Sequence, residues 1–331
     1  MKKTLVALAV LAVSGASFAQ VTINGKLGFS YQKNASIVGG SANHGMAMSD
    51  GDLNFTAMED LGGGIKAIAK SAFTSRGRDS TIGARDATLT LAMPAATMTV
   101  GAVESCSTIL NTAGAPVALA SGHDSTGAPI DGCANVDAFI LSIPVGPVTL
   151  GLNYADSIAR FVNGVPATSP GGAGDLTSNG VSVSYAAGPL SAGLDFTVFA
   201  ANAAVQGAVA AGGGTYWDGL TRTRLFGAYD LGVAKIGAGF QVSNHDKASQ
   251  SSVSVAVPLG AISVGLVHSM RNAQDASTAY TGLTAKDSRS GTAVGATYNL
   301  SKMTNINASY STYSNTADRD TEFRVRLMQS F

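Results

Sequence analysis

Charge is scarce in this 331-residue chain, and so are the residues that build reactive centres. Asp, Glu, Lys and Arg make up 13% of it, with 21 residues of each sign. That balance excludes a nucleic-acid-binding surface, which needs a basic excess. Beyond the first twenty residues no stretch approaches the ~18 continuous apolar residues of a membrane helix. The chain holds two cysteines and four histidines. His44, His123, His245 and His268 are scattered without metal-ligand spacing, and the first three fall in segments that read as loops. Gly62-Gly63-Gly64 and Gly212-Gly213-Gly214 lack the Gly-Lys-Ser/Thr ending of a phosphate loop and read as turn glycines. No cofactor is expected. Serine is so abundant that a Ser/His/Asp guess has no content, and an enzyme is not expected.

What the chain does have begins with an export leader. Met1-Lys2-Lys3 is basic, Thr4 to Val13 is apolar, and Ser17-Phe18-Ala19 is a small-x-small cleavage site, so residues 1–19 read as a signal peptide. Removing Lys2 and Lys3 leaves 19 basic residues against 21 acidic ones. In an exported chain, Cys106 and Cys133 suggest one disulfide, with a pair of free thiols as the alternative. Closing that loop would stabilise it by roughly 3 kcal/mol in the chain-entropy model.

Mean hydropathy is +0.21 and glycine reaches 40 residues. A chain this apolar, with few charges and no membrane helix, suits a wall of strands with one apolar and one polar face. The alternation is explicit at the start. Val21, Ile23, Leu27, Phe29 and Tyr31 fall on one face; Thr22, Asn24, Lys26, Gly28 and Ser30 fall on the other. The same beat recurs to Phe331 and predicts about sixteen strands over residues 20–331. Short turns such as Asp60–Gly64, Gly146–Pro147 and Gly188–Pro189 alternate with long polar connections such as 156–179, 200–219 and 271–288. Short turns on one rim, long loops on the other and an even strand count predict an all-β, transmembrane antiparallel β-barrel with its edges closed. A sandwich needs two apolar faces buried against each other, and here the second face is Thr, Ser, Gly, Asn and Lys. Aromatics at strand ends, Tyr31, Phe55, Phe73, Tyr154, Tyr185, Tyr229, Tyr310, Tyr313 and Phe331 among them, read as interfacial girdles.

One connection is too long for a turn. From about 104 to 136 it carries both cysteines together with Glu104, Asp124 and Asp131 among small residues. It is expected to fold inside the barrel and narrow it.

Glu59-Asp-Leu-Gly-Gly-Gly-Ile-Lys-Ala67 resembles the hairpin signature of the Gram-negative general porins of the β-proteobacterial type, and Phe323-Arg-Val-Arg-Leu-Met-Gln-Ser-Phe331 resembles their last strand with its terminal aromatic. The resemblance covers the whole chain after the leader. It implies a homotrimer of sixteen-stranded barrels in the cell outer membrane. Each barrel would have an aqueous pore constricted by the third long loop and would pass small hydrophilic solutes and ions without catalysis. It also implies contact with outer-membrane lipid and lipopolysaccharide, and recognition of Phe331 by the outer-membrane assembly machinery. The chain departs from the pattern at two arginine positions, where it has Thr56 and Ala102. The competing reading is a barrel with a plugged lumen acting as an adhesin or structural anchor.

Pore chemistry follows from parity. Lys26, Lys66, Lys70, Arg324 and Arg326 face inward, because an outward charge at mid-membrane costs about 2–4 kcal/mol. Arg222 and Arg224 share that orientation. Glu104, Asp124, Asp131 and Asp137, on the long loop or its stems, are expected across from these cations, giving a transverse field at the narrowest point.

Overall fold

The computed structural model describes residues 20–33, 44–75, 82–117, 134–157, 176–201, 219–244, 249–272, 288–314 and 321–331. Sixteen strands run through them: β1 (Gln20–Lys33), β2 (His44–Gly62), β3 (Ile65–Thr74), β4 (Gly83–Ala92), β5 (Thr97–Ser105), β6 (Ala134–Val145), β7 (Val148–Ser157), β8 (Leu176–Ala187), β9 (Leu190–Ala201), β10 (Thr221–Asp230), β11 (Lys235–Ser243), β12 (Ser249–Leu259), β13 (Ile262–Asn272), β14 (Ser288–Asn299), β15 (Thr304–Ser314) and β16 (Thr321–Ser330). Each pairs antiparallel with its sequence neighbours, and β1 pairs with β16, so the barrel closes with no free edge. In a membrane only such closure satisfies every strand N–H and C=O. No described helix is long and apolar enough to cross a membrane.

The short connections are built by side chains that stand in for backbone partners. Asp60 Oδ1 accepts the Gly62 N–H at 2.8 Å, and Gly63 and Gly64 follow with φ of 62° and 79°, a left-handed path that glycine takes without penalty. Asp230-Leu231-Gly232 repeats the device, with Gly232 N–H donating to Asp230 Oδ1 at 2.8 Å.

Exposure confirms the two-faced strands. Val21, Ile23, Leu27, Phe29 and Tyr31 are all exposed on the outer face, while Ser30 on the inner face is buried. Girdle aromatics contact one another across strands, as in Tyr31–Phe323 (5.8 Å between centroids) and the edge-on pair Phe55–Phe73 (6.0 Å). Tyr313 departs from the expectation. It is buried on the inner face, and its hydroxyl donates to Glu322 Oε2 at 3.0 Å. A phenol with a charged partner is stable there without a membrane interface. His44 also departs from its loop assignment and opens β2.

Two irregularities re-aim side chains. Between Gly28 and Phe29 the β1–β2 register skips Ser49, and between Ser71 and Phe73 two residues of β4, Arg85 and Asp86, stand opposite Ala72 alone. An extra residue on one strand breaks the alternation and turns adjacent side chains to the same side.

Candidate functional site

The long connection turns inward. After β5, residues 106–117 lie across the inner face of the barrel, as expected. Ile109, Leu110, Ala113 and Ala115 are buried, and Ile109, Leu110 and Ala115 pack with Val267, Phe226 and Ala256 of the wall. Their path is cut by small residues. A Cβ on Gly239 would stand 2.6 Å from the Cα and Cβ of Ile109, one on Gly237 would lie 2.6 Å from Ala113 N, and one on Gly265 would meet Ala115 Cβ at 2.6 Å. On Gly295 it would meet Val117 Cα at 3.0 Å. The segment thus descends from β11 to β14 along a track that only glycine leaves open.

Polar bonds latch it. Thr108 Oγ1 donates to Asp195 Oδ2 (2.9 Å), the Ala113 N–H donates to Ser254 Oγ (2.9 Å), and Asn307 Nδ2 donates to the Pro116 carbonyl (2.9 Å). Asn111, at φ 52°, braces the bend by accepting the Ala115 N–H on Oδ1 at 2.7 Å and donating from Nδ2 to the Ala115 carbonyl at 3.0 Å. Residues 106–117 carry no charge. Asp124, Asp131 and Cys133 lie outside the described residues.

The described loop segment lies against the inside of β9 to β15; a ladder of charges lines β16 and β1 to β5. Arg326 pairs in register with Asn307, where the described loop segment ends. Its Nη1 donates to Asp50 Oδ2 at 2.8 Å. Lys26 Nζ bridges Asp50 Oδ1 (3.2 Å) and Asp52 Oδ2 (3.1 Å). Arg85 then bridges Asp52 Oδ1 (3.0 Å) and Glu104 Oε2 (2.8 Å). Beside it, Asp86 accepts Lys70 Nζ at 3.2 Å and the Glu104 N–H at 3.1 Å.

Lys26, Lys70, Arg326 and Glu104 therefore come together, but not as expected. Glu104 is tied to the same wall as the cations through Arg85, so among the described residues the signs interleave rather than face each other across the lumen. Lys66, second residue of β3 and opposite Asp60, stands at the short-turn rim. Arg324 faces inward between Gln32 and Ser309. Asp137 shares the outer face of β6 with exposed Phe139, opposite Asp156, so it is not a lumen residue.

Asp50, Asp52, Arg85 and Asp86 were not found from the sequence. β2 and β4 begin at His44 and Gly83, earlier than their apolar runs suggest, and the β4 bulge breaks the period-two pattern at Arg85 and Asp86. A second inner row was read by parity only at Arg224. Asp195, Arg224, Gln241, Gln250, Arg271 and Arg289 follow one another in register from β9 to β14, and Arg224 Nε donates to Gln241 Oε1 at 2.6 Å. Arg222, beside them, lies 5.1 Å from the Phe199 ring centroid. Arg271 closes β13 rather than opening the following loop, since that strand runs to Asn272.

A closed wall that is apolar outside, charged inside and narrowed by its own chain is a membrane-spanning pore-forming barrel. The chain belongs to the Gram-negative porin family, whose sequence model matches residues 4–318. It is thus an outer-membrane channel for passive diffusion.

Solved structures share the fold at low identity. An anion-selective porin from Comamonas acidovorans superposes with a TM-score of 0.65 at 18% identity, covering 95% of this chain and 100% of its own. A mutant of the Rh. blastica porin gives 0.62 at 14% identity (94% and 100%), and a loop L8 deletion mutant of OmpT, an outer-membrane protein of Vibrio cholerae, gives 0.61 at 12% (95% and 99%). No curated protein sequence matches the chain.

Proposed function

We propose that the chain is a general-diffusion porin whose water-filled lumen passes small hydrophilic solutes and ions. The constriction lies between the infolded segment 106–117 and the ladder on β16, β1, β2 and β4. Lys26, Lys70, Arg326 and Glu104 are among its pore-lining charges, together with Asp50, Asp52, Arg85 and Asp86, with Arg324 nearby, Lys66 at the exit, and Asp124 and Asp131 on the remainder of the loop. The observation that carries this reading is the uncharged segment seated on the glycine track of β11 to β14, with the ion ladder on the other part of the wall. Planar-bilayer recording of the purified protein tests it. Discrete ohmic steps support an open pore; an inserted protein that passes no current supports the plugged anchor.

A homotrimer is part of the proposal. On the outer face of β2 to β5, Ala57, Ala67 and Ala69 stand between Leu89, Leu91 and Val100 and leave a shallow hollow of about 440 Å³. A smooth, hollow wall suits a neighbouring barrel better than mobile acyl chains. Ala69→Trp is expected to reduce the trimer to conducting monomers, read by mass in detergent and by loss of three-step closures; an unchanged trimer removes this face from the interface.

The remaining elements are an export leader over residues 1–19 and a Cys106–Cys133 disulfide. That Cys106 is not a free thiol supports the pairing. Intact mass of the mature protein, before and after reduction, checks both: it should begin at Gln20 and gain two hydrogens on reduction.

A further inference from the structure

We infer that Asp52 and Arg85 are the residues that keep the ladder wall of the constriction from selecting by sign, a reading that rests on the porin function above. Four cations (Lys26, Lys70, Arg85, Arg326) and four carboxylates (Asp50, Asp52, Asp86, Glu104) meet there in contacts of 2.8–3.2 Å. An array that alternates in sign and sums to zero has a field that dies away within about its own spacing, so a passing ion of either charge meets little net potential.

Asp52 and Arg85 hold the centre. Asp52 accepts from both Lys26 and Arg85, and Arg85 reaches from Asp52 to Glu104. Their side chains retain 13% and 35% exposure, enough to feel the solution in the lumen. Arg85 reaches the lumen only because the β4 bulge places two residues opposite Ala72. Removing Asp52 leaves one net positive charge shared by Lys26 and Arg85, which keep Asp50 and Glu104 as partners; removing Arg85 leaves one net negative charge shared by Asp52 and Glu104. The described loop segment opposite, 106–117, supplies no charge to compensate.

The test is the reversal potential of single channels in a potassium chloride gradient. Asp52→Asn is expected to raise the anion-over-cation permeability ratio about threefold, the scale of one unpaired charge acting through water. Arg85→Gln is expected to lower it by a similar factor, and the double variant to return near the starting ratio. Asp52→Glu and Arg85→Lys, which keep the charges, should stay near it as well. Glu104→Gln, at the edge of the ladder, should repeat the anionward shift and serves if a central variant does not assemble. Conducting channels whose reversal potential ignores Asp52→Asn, Arg85→Gln and Glu104→Gln overturn the inference alone. A wild-type protein that does not conduct overturns the porin reading itself.

Discussion

Replacing Gly239 with leucine is expected to widen the pore. The Cα of Gly239 has ordinary strand backbone, so the substitution leaves the β10–β11 and β11–β12 ladders intact. Its side chain, however, must occupy the space of Ile109, whose Cα and Cβ lie 2.6 Å from the first added carbon. Forcing extra carbons into a packed contact costs about 1–3 kcal/mol. The three bonds that latch the segment to the wall, from Thr108, to Ser254 and from Asn307, contribute on the order of 1 kcal/mol each. The two sums are comparable, so the loop gives way before the barrel does. Single-channel conductance should rise, and the largest polyethylene glycol able to enter should grow. Asn307→Ala removes one latch and should move conductance the same way by less. Unchanged conductance and size exclusion in Gly239→Leu would show that residues 106–117 do not set the bore.

Deleting Phe331 is expected to cost most of the folded yield, through physics separate from recognition by assembly factors. The terminal residue closes the seam. Phe331 N–H donates to the Gly25 carbonyl at 3.0 Å, and Gly25 N–H donates to the Phe331 carbonyl at 2.9 Å. Its ring lies over Gly25, where an ideal Cβ would stand 2.7 Å from Phe331 Cζ. Removing the residue leaves two backbone groups of β1 unpaired beside the membrane, where unsatisfied polar groups are costly. Phe331→Ala keeps the two bonds and loses only the ring, so it should fall between deletion and wild type. Refolding from urea into detergent, followed by heat-modifiable gel mobility, measures the barrel fraction without assembly machinery. Full refolding of the deletion would limit the role of Phe331 to recognition.

The hairpin Glu59–Ala67 shows how much of this was legible in residues. Asp60, Leu61 and three glycines dictate a tight turn, and the strands flanking it alternate cleanly, so topology and facing follow from local chemistry. Lys26, Lys70 and Arg326 were found the same way, by parity and the cost of a charge in lipid. Arg85 and Asp86 were not, because adjacent residues facing one side violate the rule that found the others. Arg271 was lost to a boundary, since polar inner-face residues make the end of a strand look like a loop. Glu104 was identified, but was expected across the pore from the cations rather than beside Arg85 on the same wall.

Amino-acid order alone determined the two-faced wall, the number of strands, their alternating connections and the closed barrel. These depend on local turn chemistry and a period of two, both of which survive in one dimension. Only the tertiary structure decided where residues 106–117 rest and which charges meet. Both depend on which strands stand side by side around the barrel: a track of glycines drawn from β11, β13 and β14, and an ion ladder drawn from β16, β1, β2, β4 and β5, exist only once the sheet has closed and its two bulges have turned the side chains inward.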